Sequence, residues 1–215
     1  MKNNLRSIFG FERLGTGAAF LALLACTSTS HADVILDNTT DNGFSNDGGQ
    51  LSVDSYSVAQ VFTTPSSDYE LNSIYLSFGA ASSGSANVYL YDVTGGVPSG
   101  SGTQIGTISG GPGNTLVSLT STPTLSANTS YAVALGTGGG ITWNETSTSV
   151  SGVAGAPNLG NEYVFYDGGW NHNGSSYLQM EVVAVPEVSI TGAVMGFGVL
   201  VVALGRKFAS AKCIA

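Results

Sequence analysis

Between residues 33 and 185 apolar and polar side chains alternate in short runs, and clusters of Gly, Ser, Thr and Asn separate the runs. In Ser73-Ile74-Tyr75-Leu76-Ser77-Phe78 the period of two places Ile74, Leu76 and Phe78 on one face of a strand. Comparable runs at 58–62, 87–91, 104–108, 115–119, 130–135, 141–144, 162–166 and 177–183 bring the expected strands to nine. No stretch of this region repeats with the 3.6-residue period of a helix. Short strands joined by frequent turns predict an all-β fold, an antiparallel β-sandwich or jelly roll.

The two ends break the alternation. Lys2, Arg6 and Arg13 precede an apolar run at 18–25, and a polar stretch then ends in Ser30-His31-Ala32. Basic region, short apolar core and small-residue site follow one another in the order of a signal peptide. The core is too short to stay in a bilayer, which takes about 20 apolar residues. Residues 1–32 are therefore expected to form a signal helix that signal peptidase removes after Ala32. An alternative stays open, because Leu23-Leu24-Ala25-Cys26 is similar to a lipoprotein box in which Cys26 would be acylated. At the other end Val185-Pro186-Glu187 leads into an apolar run at 188–204 and then Gly205-Arg206-Lys207. At about 1.5 Å per residue that run makes about 25 Å of helix, enough for a thin bilayer. Arg206, Lys207 and Lys212 would lie on its cytoplasmic side. The expected organisation is a signal segment at 1–32, a β-sandwich at 33–184 and an anchor or sorting segment at 185–215.

The layout of Val185-Pro186-Glu187, apolar helix and Arg206-Lys207 resembles a PEP-CTERM sorting signal. That resemblance implies an exosortase-type membrane protease as partner, cutting near Pro186 and Glu187 and moving the protein from the inner membrane to the cell surface or the exopolysaccharide matrix. Val188 stands where the family usually has a second Pro, and eight residues follow Lys207 where the family usually ends. An ordinary uncleaved membrane anchor is the alternative. The region between the ends resembles the choice-of-anchor R type of surface domain, in Ala59-Gln60-Val61-Phe62-Thr63-Thr64, the run at 71–78, Gly95-Gly96-Val97-Pro98, and Leu125-Ser126-Ala127-Asn128-Thr129-Ser130-Tyr131. This second resemblance implies a β-sandwich at the surface and supplies no catalytic residues.

Charge sharpens the picture through its placement rather than its total of −8. All six basic residues lie at the two ends, and residues 33–185 hold twelve carboxylates and no Lys or Arg. Such a domain repels phosphate backbones, so nucleic acid is excluded as a partner. Cys26 falls in the signal segment and Cys213 beyond the apolar run, which leaves the expected mature domain without thiol or disulfide.

Candidate chemistry is sparse. His172, in Asp167-Gly168-Gly169-Trp170-Asn171-His172-Asn173-Gly174, has no G-x-S-x-G partner and reads as a solvated loop histidine. Glu145, Glu162, Asp167 and Glu181 could furnish the carboxylate pair of a glycosidase, but any acidic domain passes that test. No catalytic set is assigned, and the protein is read as a non-catalytic adhesive or structural domain. Calcium is the one cofactor suggested: Asp37, Asp41 and Asp47, in Asp37-Asn38-Thr39-Thr40-Asp41-Asn42-Gly43 and Asn46-Asp47-Gly48-Gly49, cluster hard oxygen ligands, although the same residues make turns for conformational reasons. The alternative function is a carbohydrate-binding module for exopolysaccharide, built on Trp170, Tyr166 and Asn171. Trp143, within an expected strand, is read as packed, and Trp170 as lying in a Gly/Asn loop.

Overall fold

The computed structural model describes residues 31–39, 49–146, 159–174 and 176–187. The expected signal helix, the apolar run at 188–204, Cys26, Arg206, Lys207, Lys212, Asp41 and Asp47 lie outside the described residues. In chain order the strands are β1 (Asp33–Asp37), β2 (Gly49–Ser52), β3 (Ser57–Thr63), β4 (Tyr69–Phe78), β5 (Ser85–Thr94), β6 (Val97–Ser109), β7 (Gly113–Leu116) and β8 (Ser118–Leu119). They continue with β9 (Thr124–Leu125), β10 (Ser130–Leu135), β11 (Thr142–Thr146), β12 (Leu159–Tyr166), β13 (Gly169–His172), β14 (Tyr177–Leu178) and β15 (Met180–Pro186). Among the described residues there is no helix.

The strands form two antiparallel sheets. The first runs β1-β15-β4-β11-β14, with β2 on β11 and with β7 and β9 on β4; the second runs β13-β12-β3-β10-β5-β6-β8. The all-β, antiparallel expectation therefore holds. Alternation decides which side chains are inside: Ile74, Leu76 and Phe78 of β4 are each at most 1% exposed. They join Val182 and Met180 of the first sheet and Val58, Phe62, Val88, Val133 and Leu135 of the second in one apolar cluster. Each large side chain so buried is worth roughly 1.5–3 kcal/mol. β1 pairs with β15, and Asp33 stands opposite Ala184, so the first and last strands of the His31–Glu187 unit meet at one end of the first sheet.

Two expected strands turn out to be broken. The run at 115–119 divides at Val117: β7 pairs with β4 in the first sheet and β8 with β6 in the second. Val117 is buried at the crossing, and its N–H donates to the Ile74 carbonyl at 2.9 Å. The run at 177–183 divides at Gln179, where β14 pairs with β11 while β15 lies between β1 and β4. Long-range hydrogen bonds hold this second break. Asn38 Nδ2 donates to the Leu178 carbonyl at 3.0 Å, its Oδ1 accepts from the Met180 N–H at 2.5 Å, and Trp143 Nε1 donates to the Gln179 carbonyl at 2.8 Å. Periodicity carries no trace of bonds between residues so far apart in the chain.

The Gly/Asn loop expected around Trp170 is instead a β-hairpin. Asp167 (φ 52°) and Gly168 (φ 78°) form its two-residue turn, and Tyr166 pairs with Gly169. Positive φ at both central positions gives a turn whose twist matches the flanking strands, and Asp-Gly is a favoured pair for it. Trp170 and His172 accordingly sit on β13 rather than in a loop.

Asn38 is buried and bonds both sides of the Gln179 break, so Asn38→Ala should strand a buried carbonyl and a buried N–H. A loss of about 2–4 kcal/mol is expected in urea unfolding, against about 0.5 kcal/mol or less for Asn114→Ala on an exposed position.

Candidate functional site

The outer face of the second sheet carries a second apolar cluster. In β3 the core side chains Val58 and Phe62 alternate with Ala59 and Val61, and in β10 Tyr131, Val133 and Leu135 alternate with Ala132 and Ala134. Register lines these small residues up between rings. Tyr163, Ala59, Ala134 and Tyr89 form one row across β12, β3, β10 and β5, with Val61, Ala132 and Tyr91 in the next. With alanine at the centre of the sheet, the large rings from either side lie over it. Ala59, Ala132 and Ala134 are at most 1% exposed although they point away from the core.

The rings touch one another in sequence. Phe165 and Trp170 meet edge to face at 5.3 Å, Trp170 and Tyr91 at 5.4 Å, and Tyr91 lies 6.4 Å from Tyr89. Gly102 permits the Tyr91 position, because a Cβ there would lie 2.4 Å from the ring. Phe165 is 40% exposed, while Trp170, Tyr89 and Tyr91 are half-buried. Burial, then the neighbouring Tyr89, pushes the Tyr91 phenol above its ordinary pKa. An array of partly open aromatic faces with hydroxyl edges is suited to stacking against the apolar face of a sugar ring.

The three residues expected to bind sugar do not share this face. Phe165 pairs with Trp170 and Tyr166 with Gly169, so alternation directs Trp170 and Tyr166 to opposite sides of the hairpin. Tyr166 is 50% exposed and packs edge to face on Tyr56 at 6.3 Å. Asn171 shares the Tyr166 side, and its Nδ2 donates to the Gly169 and Tyr166 carbonyls at 3.0 and 3.3 Å. Trp170 keeps its candidacy with new neighbours, Phe165, Tyr91 and Tyr89. Trp143 is fully buried, as its place in an alternating run implies.

Of the carboxylates considered for catalysis, the fold brings two together. Glu145 reaches the seam between the sheets from β11, and Glu162 from β12; they are 9% and 1% exposed. Glu162 Oε1 accepts from Asn173 Nδ2 at 2.7 Å, and Oε2 is buried without a hydrogen-bond partner. Burial, with the Glu145 charge adding to it and the Asn173 bond opposing it, pushes the Glu162 carboxyl up to about 7; burial raises Glu145 as well. A glycosidase needs its two carboxylates open to a sugar between them. This pair is closed off and can accommodate a proton or a small ion. Asp167 lies in the β12–β13 turn, and Glu181 lies on β15 opposite Asp37. Beside the seam, Asn161, His172, Gly174, Ser176 and Tyr177 line an open groove of about 150 Å³. His172 is exposed, with its ring edge-on to Tyr163 at 5.9 Å.

Of the expected calcium residues only Asp37 is described. Its Oδ1 accepts from the Thr39 N–H at 2.8 Å and the Thr39 hydroxyl at 2.7 Å, a local turn that already employs one oxygen. Of the processing residues, Ala32 is exposed directly before β1. Val185 and Pro186 form the end of β15, opposite Glu70 and Tyr69. Glu187 N–H donates to the Asp68 carbonyl at 2.9 Å, and its Oε1 accepts from the Thr124 hydroxyl at 3.1 Å.

No family model and no curated protein matches the chain. Among solved structures it is similar to the clostridial cysteine protease Cwp84 after propeptide cleavage, at 16% identity and a TM-score of 0.47, over 64% of this chain and 37% of that one. It is also similar to the cysteine protease and lectin-like domains of Cwp84, a surface-layer associated protein of Clostridium difficile, at 18% identity and a TM-score of 0.44, over 61% and 32%. The chain thus spans about a third of the length of the structures it matches. Likeness at this level carries no argument about activity, ligand or location.

The Glu162 carboxyl gives the fold a pH dependence whose sign follows from linkage. Its folded pKa of about 7 exceeds the ordinary value of 4.5, so the folded state holds the proton more tightly than the unfolded chain. The associated stability is fully present below about pH 4.5 and is lost as pH rises through about 7. Glu145, the charged group acting on it, is raised too and contributes with the same sign. With chelator present, the melting temperature should fall between pH 5 and pH 8, and Glu162→Gln should flatten that fall.

Proposed function

We propose that the chain is an exported cell-surface or extracellular-matrix protein whose β-sandwich acts by non-catalytic adhesion, and that the aromatic array on the second sheet is its adhesive face. The finer organisation belongs to this proposal: a sandwich between an N-terminal signal helix and a C-terminal transmembrane helix, processed by signal peptidase and an exosortase-type protease. The observation that carries the adhesive reading is the run Phe165, Trp170, Tyr91 and Tyr89 over an alanine floor. A row of rings left partly open on a sheet face marks an interaction surface more than a packing need. Exopolysaccharide is the ligand class that fits it, since stacking on successive sugars asks for ring faces and neutral edges. The face also lacks Lys and Arg, as does all of 33–185, so an anionic ligand would gain no charge pairing.

The address rests on the sequence of the two ends, and the fold accommodates it. Removal of residues 1–32 would leave β1 whole, and a cut just after Glu187 would leave β15 whole.

Coprecipitation with exopolysaccharide from the native host tests the adhesive reading. The unsubstituted protein should be retained, with Trp170→Ala and Phe165→Ala each weakening retention about tenfold, the equivalent of one lost stacking contact. Equal retention of all three would remove the aromatic face from the proposal. Intact mass spectrometry of the protein from its host tests the address. A mature chain from Asp33 to near Pro186, free of the membrane, is expected; a membrane-bound chain that retains Arg206 and Lys207, or begins at an acylated Cys26, would overturn exosortase processing.

A further inference from the structure

The Glu145–Glu162 seam presents an electrostatic imbalance that the domain's own side chains leave uncorrected. One carboxylate comes from each sheet, both are buried, and residues 33–185 supply no Lys or Arg to pair with either. Buried carboxylates are ordinarily paired, metal-bound or neutralised. Asn173 satisfies Glu162 Oε1, whereas Oε2 is buried in the seam and accepts no hydrogen bond. An oxygen in that condition costs free energy comparable to a lost hydrogen bond or more.

We propose that Glu145 and Glu162 together hold a divalent cation, with Glu162 Oε2 as one of its ligands and calcium as the ion of the right class. The donors at the seam are hard oxygens, which suit calcium, and calcium accepts irregular shells completed by carbonyls and water. Magnesium asks for a near-ideal octahedron and sheds its water reluctantly. The open groove lies next to the seam, since a Cβ added at Gly174 on its wall would come within 3.9 Å of Glu162 Oε1. Gly49 approaches the other carboxylate more closely, since a Cβ there would lie 3.1 Å from Glu145 Oε2. The site is separate from the Asp37 turn, whose Oδ1 is engaged by Thr39. An ion bound here would join β11 of the first sheet to β12 of the second, so its binding free energy would add to the stability of the fold.

The test uses the exported protein purified from its host, stripped with EGTA and titrated with calcium chloride at pH 7.5 by calorimetry and thermal melting. One ion per chain is expected, with a Kd of about 10⁻⁵–10⁻³ M, the range between sensor and extracellular calcium sites, and a rise in melting temperature of about 5 °C at saturation. Glu162→Gln and Glu145→Gln should each weaken binding at least about tenfold. Glu162→Gln should melt no lower than the unsubstituted protein in EGTA, because it removes the repulsion without changing the side chain's shape. Asp37→Asn should bind as the unsubstituted protein does. No heat and no melting shift at 10 mM calcium chloride would overturn the proposal, as would binding that survives both Gln substitutions or is lost with Asp37→Asn.

Discussion

The chain between Asp33 and Val185 has no Lys or Arg, and this constraint governs how its two sheets can be held together. Lacking ion pairs with Lys or Arg, they meet through apolar side chains and through neutral hydrogen bonds placed at the awkward points. Gln60 is the clearest of these. It is fully buried on β3 of the second sheet, its Oε1 accepts from the Leu178 N–H of the first sheet at 2.7 Å, and its Nε2 donates to the Gly160 carbonyl at 2.7 Å. Asn38, Gln60 and the Trp143 indole all act on residues 178–180, where the chain passes from β14 to β15. The Gln60 amide therefore links the sheets where many proteins use charge, while Asn38 and Trp143 secure the same turn of chain from within the first sheet.

Much of the fold was legible because burial writes itself into a period of two. Ile74, Leu76 and Phe78 were inward by alternation and are inward in the structure. The breaks at Val117 and Gln179 were not legible, since what bends the chain there is a partner far away in sequence. β1 is only Val34-Ile35-Leu36 between two Asp, too short to show a period, β2 has one apolar residue, and β9 and β14 are only two residues long. The β12–β13 hairpin has its Asp-Gly signal in plain view, but a stretch so rich in Gly and Asn reads equally as a loop.

The candidate face was only half legible. Trp170 stands out by its type, while Tyr89, Tyr91 and Phe165 lie inside alternating runs where a ring reads as ordinary strand packing. A usable signal was present: Val88-Tyr89-Leu90-Tyr91 and Tyr131-Ala132-Val133-Ala134-Leu135 are apolar at successive positions, so both faces of those strands had to be covered. The Glu145–Glu162 juxtaposition needs two sheets to be stacked in a particular register before it exists. No spacing of 17 positions along the chain announces it.

The pairing of β1 with β15 has a consequence for the order in which the molecule can be completed. Asp33 stands in register with Ala184, so about 150 residues must be available before the first strand has a neighbour to zip onto, a contact of very high order. A chain made from its N-terminus leaves that strand idle until β15 has been made, and closure of the first sheet waits for it. Under the export proposed above such delay would be useful: the clasp of the fold would be withheld until its last strand had also come through.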